Sequence, residues 1–189
     1  REASNQVFLL DQIYNKTGLI VDVVDMPQEI YTKFTAIRNT LKNERISSER
    51  DGMLMMDISS GGLGVTLVQD DNIRYQENFH VGIIRIKESF ERNRRESMHF
   101  NKALTEFLSS TIGPVRRELQ QDSVQYLVLS GTETELLLKM LGLDTIQLVH
   151  RIKADDFHKF FQKMHQMNLP QIIETFNIPE SLAELALPT

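Results

Sequence analysis

Residues 53–79 read MLMMDISSGGLGVTLVQDDNIRYQENF, and two turn signals in that stretch limit what the chain can fold into. Ser59-Ser60-Gly61-Gly62 and Asp70-Asp71-Asn72 separate three short runs, 53–58, 64–69 and 73–79. Short apolar-rich runs bounded by glycine, serine, aspartate and asparagine read as strands rather than helices. The spacing therefore predicts three strands in series, the first buried on both faces. That first run carries an aspartate near its end, Asp57, directly before two serines and the glycines 61, 62 and 64. Two readings stay open on spacing alone. In one, the segment is a hairpin whose aspartate is satisfied by local N–H groups. In the other, glycines let backbone N–H groups approach a phosphate, and the carboxylate at the strand end holds a divalent ion or its water shell.

The rest of the chain is mostly helical. Val7, Leu9, Leu10, Ile13 and Tyr14 have helical spacing over 4–17, ending at Gly18. Residues 19–24, LIVDVV, read as a β-rich run, and 27–41 as a helix with Pro27 in its first turn. A polar loop is expected over 42–52. Helices are expected over 83–93 and about 97–121, the latter interrupted near Gly113-Pro114. VQYLVLS (124–130) reads as another buried strand. Ser130-Gly131-Thr132 leads from it into a helix with Thr132 as N-cap, Glu135 three residues on, and Gly142 as its stop. In the helical C-terminal segment, Asp155 or Asp156 is expected to cap one helix, and Pro170 and Pro179 to mark later starts. The order predicts an α/β lobe with crossover helices around a partly parallel sheet.

Other candidate chemistry is thin. A helix start after Ser130-Gly131-Thr132 favours an anion or nucleotide, although the capping box explains Thr132 and Glu135 without one. Glu29 stands in the first turn of its helix, where a dipole partner is the simplest role and a general base the sharper one. His158 and His165 are about 10 Å apart along a helix, too far for one metal ion, and the Phe and Met residues among them read as packing. Arg92, Arg94 and Arg95 read as a solvated face that could attract an anion.

The formal charge of −5 over 189 residues argues against a surface for duplex nucleic acid, while a few arginines in one cleft could still serve a polyphosphate. The absence of cysteine removes thiol catalysis, disulfides and cysteine–zinc sites, and fits a cytoplasmic location. No apolar stretch approaches the roughly 18 residues of a membrane span. The opening REASNQVFLL reads as the middle of a helix, so a preceding segment is expected.

These signals fall in an order that resembles the second lobe of the bacterial exopolyphosphatase/guanosine pentaphosphate phosphatase family. That family sits within the sugar kinase–Hsp70–actin superfamily, with its ribonuclease H-like (actin-like ATPase) fold. REASNQVFLLDQIYNKTGLIVDVVDMPQEIY (1–31) is similar to the family's R-E-A-x-N helix, glycine, strand and glutamate-bearing helix start. MDISSGGLGVTLV stands where the family has D-I-G-G-G-S-T-E-L. ENFHVGIIRIKESF (77–90) resembles S-x-x-x-G-x-x-R-L-x-E-x-F through Gly82, Arg85, Glu88 and Phe90. LVLSGTETELL (127–137) matches the strand and G-G-T loop, and IPESLAELALPT (178–189) the closing R-A-D-x-I-L-P-A.

The resemblance implies metal-assisted hydrolysis, with Mg2+ or another divalent cation, of a terminal phosphoanhydride in polyphosphate or guanosine pentaphosphate. The substrate would lie between two lobes, residues 1–189 being the second and the first absent from this chain. Glu29 falls on the glutamate that orients or deprotonates water, and Asp57 on the aspartate that positions the metal. Ser59, Ser60, Gly61 and Gly62 fall on the phosphate-cradling turn, and Ser130, Gly131 and Thr132 on the nucleotide-side loop. Arg1 falls on an arginine near the phosphates. The departures are Ser59-Ser60 for two glycines, Gly64 for an acidic residue, Ser130 for the first glycine of G-G-T, and Leu182 for the closing arginine. They keep two rivals in view: a phosphate-sensing module without catalysis, and an interaction lobe whose C-terminal Met/Phe/His helices form a homodimer surface.

Overall fold

The computed structural model describes residues 4–46, 52–90, 99–119 and 124–186, which divide at Ile46 into two compact units.

The first unit holds two helices. Helix α1 (Gln6–Thr17) stops at Gly18, whose left-handed φ of 72° lets its N–H reach the Tyr14 carbonyl at 2.8 Å. The β-run expected over 19–24 has no regular secondary structure. Leu19, Ile20, Val21, Val23 and Val24 are all exposed. Such a run becomes a strand only when a neighbour takes its N–H and C=O groups, and among the described residues none pairs with it. Helix α2 (Met26–Asn43) starts where Asp25 accepts the Gln28 N–H at 2.8 Å, with Pro27 in the first turn where a missing N–H costs nothing.

The second unit is built on a four-stranded mixed sheet of β1 (Gly52–Ile58), β2 (Leu63–Gln69), β3 (Asn72–Phe79) and β4 (Val124–Ser130), in the order β3-β2-β1-β4. β1–β2 and β2–β3 are antiparallel hairpins, and β4 runs parallel to β1. The hairpin between β2 and β3 turns on Asp70 and Asp71, with φ of 50° and 60°. Aspartate tolerates that left-handed region better than most side chains. Val65, Leu67 and Val68 of β2 are almost wholly buried, as are Met53 and Met55 of β1. A fully buried side chain of this kind contributes roughly 1.5–3 kcal/mol. On β3, the Tyr75 phenol donates to the Glu77 carboxylate; partial burial first, then that bond and its charge, push the phenol up to about 12. β4, expected as a buried strand, is instead the exposed end of the described sheet, with Val124, Tyr126 and Leu127 open to solvent.

Helix α3 (Ile83–Ser89) follows β3, and α4 (Phe100–Thr111) and α5 (Gly113–Leu119) are separated at Ile112, beside the interruption expected near Gly113-Pro114. Ile86, Phe100 and Leu104 form one small core; Phe90 stacks edge-on against Phe100 and Phe107 at 5.3 and 5.9 Å. After β4 come α6 (Thr134–Met140), α7 (Ala154–His165), α8 (Leu169–Phe176) and α9 (Glu180–Ala186). Leu136, Met140, Met164, Leu169, Ile172 and Ala183 make a second core. The Met/Phe stripe of α7 divides: Met164 is buried and Phe160 packs on this core, whereas Phe161 is exposed and stacks on His165. Neither Asp155 nor Asp156 caps α7; both lie in its first turn, and Lys153 holds the cap position. α8 begins with a capping box between Asn168 and Gln171 ahead of Pro170, and α9 begins after Pro179. The Asn101 amide donates to the His165 and Met167 carbonyls, tying α4 to the end of α7.

Candidate phosphate-binding site

Parallel pairing of β1 and β4 sets Asp57 beside Ser130, so two loops 73 residues apart in sequence meet at the carboxyl ends of adjacent strands. In sheets of this kind, that end is where ligands bind. The Ser130 hydroxyl donates to Asp57 Oδ1 at 3.1 Å, and both residues are half-buried. Gly131 follows with φ of 115°, which L side chains rarely adopt. A Cβ built there would stand 1.9 Å from the Ile58 carbonyl oxygen, so the loop lies directly on the end of β1.

The turn 59–62 joins β1 to β2 and is closed on itself. Ser59 N–H donates to the Gly62 carbonyl at 3.0 Å, and the Ser59 hydroxyl both donates to that carbonyl and accepts the Gly62 N–H. The turn is also seated from below. The first amides of α3, Ile83 and Ile84, donate to the Ser59 and Ser60 carbonyls at 3.1 and 3.0 Å. Gly82 makes this seat: a Cβ there would lie 2.3 Å from Ser60 O, Gly61 C and Gly62 N. Ser60 and Gly61 are left as the exposed positions of the turn, their N–H groups in none of these bonds. These two exposed positions follow Asp57 and Ile58 at the end of β1.

The remaining candidates fall elsewhere. Thr132 does not cap α6: its hydroxyl bonds the Glu133 carboxylate, and the helix starts two residues later. The Gly131 carbonyl takes both the N–H and the hydroxyl of Thr134, so the local turn satisfies itself before the helix begins. Gly142, with φ of 71°, follows the end of α6 as expected. Glu29 lies on α2, in the other unit, ion-paired to Lys33 one turn on at 3.0 Å. Arg1 and the arginines 92, 94 and 95 lie outside the described residues.

Gly64, where the resemblance places an acidic residue, stands in register with Asp57 on β2. Its missing Cβ would lie 3.6 Å from Asp57 Cβ, so a carboxylate there would have stood beside Asp57 on the same sheet face. Among the described residues no three His, Asp or Glu side chains gather to hold a metal ion. A closed protein cage is thus not formed by them, whereas one carboxylate with substrate phosphates and water is a donor set that suits Mg2+. Sequence reading missed two contributors. Gly82 stood in plain view as a motif glycine, but its contact with the turn requires knowing that α3 starts under β1–β2. Ser130 was expected on the nucleotide-side loop and noted as a departure from glycine, but its bond to Asp57 follows from the parallel register.

The Ppx/GppA phosphatase family model matches residues 1–184. The chain belongs to that family. The structure agrees in fold with a Ppx/GppA family member from Aquifex aeolicus (TM-score 0.73, 18% identity, covering 98% of this chain and 59% of that one). It agrees likewise with an exopolyphosphatase from Cytophaga hutchinsonii (TM-score 0.70, 17% identity, covering 100% and 62%), and with an exopolyphosphatase-like protein (TM-score 0.67, 16% identity, covering 98% and 60%). No curated protein sequence matches the chain. This Ppx/GppA chain therefore spans about three fifths of the length of its structural relatives, with the actin-like ATPase fold type and a four-stranded mixed sheet. No described helix is long and apolar enough to cross a membrane.

Proposed function

We propose that this chain is the second lobe of a cytoplasmic phosphoanhydride hydrolase that releases orthophosphate from polyphosphate or guanosine pentaphosphate. The observation that carries the reading is the meeting of Asp57, the 59–62 turn and the Ser130–Gly131 loop at one end of β1 and β4. A phosphate end seated there is held by the Ser60 and Gly61 amides, which cost no reorganisation because α3 and Gly82 fix the turn beforehand. Arg1 neutralises phosphate charge, and Thr132 lies on the nucleotide side. Asp57 holds the hydration shell of Mg2+, which when bound supplies charge neutralisation at the phosphate oxygens. Glu29 takes a proton from the attacking water. The water oxygen bonds to the terminal phosphorus, the bridging P–O bond breaks, and its electron pair leaves with the shortened chain. Positioning and charge provide the acceleration.

A preceding lobe is part of this reading. It is supported by the bare apolar surface of the first unit, where α1 has no buried residue among those described and 19–24 has no strand partner. Residues 1–189 alone are therefore expected to release no phosphate from tripolyphosphate. A polypeptide joining the preceding lobe to this chain should release it, and Glu29→Gln there should slow release by at least about 100-fold with an unchanged circular dichroism spectrum. Unchanged turnover removes Glu29 from the mechanism. A second reading, a phosphate-sensing lobe without catalysis, is favoured by the Ser59 hydroxyl, which already holds the Gly62 N–H that a substrate phosphate would want. Saturable tripolyphosphate binding with no release from the two-lobed protein would select it.

A further inference from the structure

Helix α3 has only seven residues, too few for a helix to hold itself in water. Its place therefore comes from what packs against it. That place matters, because its first amides, Ile83 and Ile84, donate to the Ser59 and Ser60 carbonyls of the turn. Ile83 and Ile86 are almost wholly buried and fix one side of the helix. One turn on from Ile83 stands Lys87, whose ammonium is ion-paired to the Glu184 carboxylate of α9. The Glu184 side chain is 13% exposed and that of Lys87 31%. An exposed pair contributes little, whereas a largely desolvated carboxylate that loses its cation is left buried at a cost. Lys87 also lies in the last turn of α3, where a cation complements the helix dipole. On α9, the residue before Glu184 is Ala183, which is buried in the C-terminal core, so the carboxylate is presented by an anchored helix. We infer that Lys87 is a positioning residue for the 59–62 turn: its ion pair with Glu184 fastens the far end of α3 to the C-terminal helical core, and α3 holds the turn from below. The functional consequence rests on the reading of 59–62 as the phosphate-holding turn.

Amide hydrogen exchange of the 15N-labelled full chain, together with titration by inorganic tripolyphosphate, tests this. In Lys87→Met the Ile83 and Ile84 amides should exchange about tenfold faster than in the parent, with the Val65 and Leu67 amides of β2 unchanged. Tripolyphosphate binding, followed at the Ser60 and Gly61 amides, should weaken about fivefold. Lys87→Arg keeps the cation and should retain both properties within about twofold. Glu184→Gln should act in the same direction as Lys87→Met, and adding Lys87→Met to it should change little more, because both remove one pair. If Lys87→Met leaves Ile83 and Ile84 exchange unchanged, or speeds Val65 and Leu67 by the same factor, the positioning role is overturned. If the parent binds no tripolyphosphate while Lys87→Met still speeds exchange at Ile83 and Ile84 alone, Lys87 holds the turn and the phosphate reading falls.

Discussion

The sheet contains two hairpin turns, separated by the seven residues of β2, that would look alike as candidates. The 70–71 turn carries two carboxylates, Asp70 and Asp71, both at positive φ, with Asp70 half-exposed and facing Arg74. The 59–62 turn carries no charge of its own. The second has other elements built against it: α3 donates two amides from below, Gly82 closes the gap, and Gly131, just after β4, presses on the preceding residue. The difference teaches that charge at a turn is cheap, whereas a backbone held by three separate segments is what makes a turn able to receive a ligand without reorganising.

The most severe way to break that comparison is to fill the space under the 59–62 turn. Gly82→Ala puts a methyl group 2.3 Å from three backbone atoms, and Gly131→Ala adds positive-φ strain to a 1.9 Å clash. Each should destabilise the chain by at least about 3 kcal/mol in urea titrations. Gly61→Ala, which meets nothing within 4 Å, should cost less than about 0.5 kcal/mol as an exposed surface change. Equal effects at 61 and 82 would mean that the turn is not seated on α3. The smallest effect belongs to the other turn. Asp71→Gly relieves a non-glycine residue at φ of 60° and should stabilise the same titration by up to about 1 kcal/mol. A loss there would show that Asp71 does more than turn the chain.

Much of this was legible in the sequence, for local reasons. The three strands, their two turns, the stop at Gly18 and the starts near Pro27, Pro170 and Pro179 all depend on residues within a few positions of one another. Long-range placement was not. LIVDVV has strand composition but acquires strand structure only with a partner, and VQYLVLS looks buried because β-branched and aromatic residues do not reveal an edge position. Thr132 lost the cap of α6 to a bond with Glu133 that spacing rules do not anticipate. At the candidate site, Asp57 and the glycines were visible as types, and the resemblance ordered them. The contacts that join them, Ser130 to Asp57 and Gly82 to the turn, come from β1–β4 pairing and from where α3 begins.

The central claim is that the 59–62 turn and the 130–132 loop form one anion site, and amide NMR of the 15N-labelled chain titrated with inorganic tripolyphosphate tests it most directly. The account predicts that the Ser60, Gly61 and Gly131 amide signals shift together and saturate with one dissociation constant, while those of Asp70 and Asp71 stay still. Shifts confined to one loop, different constants for the two, or no shift at either would contradict it.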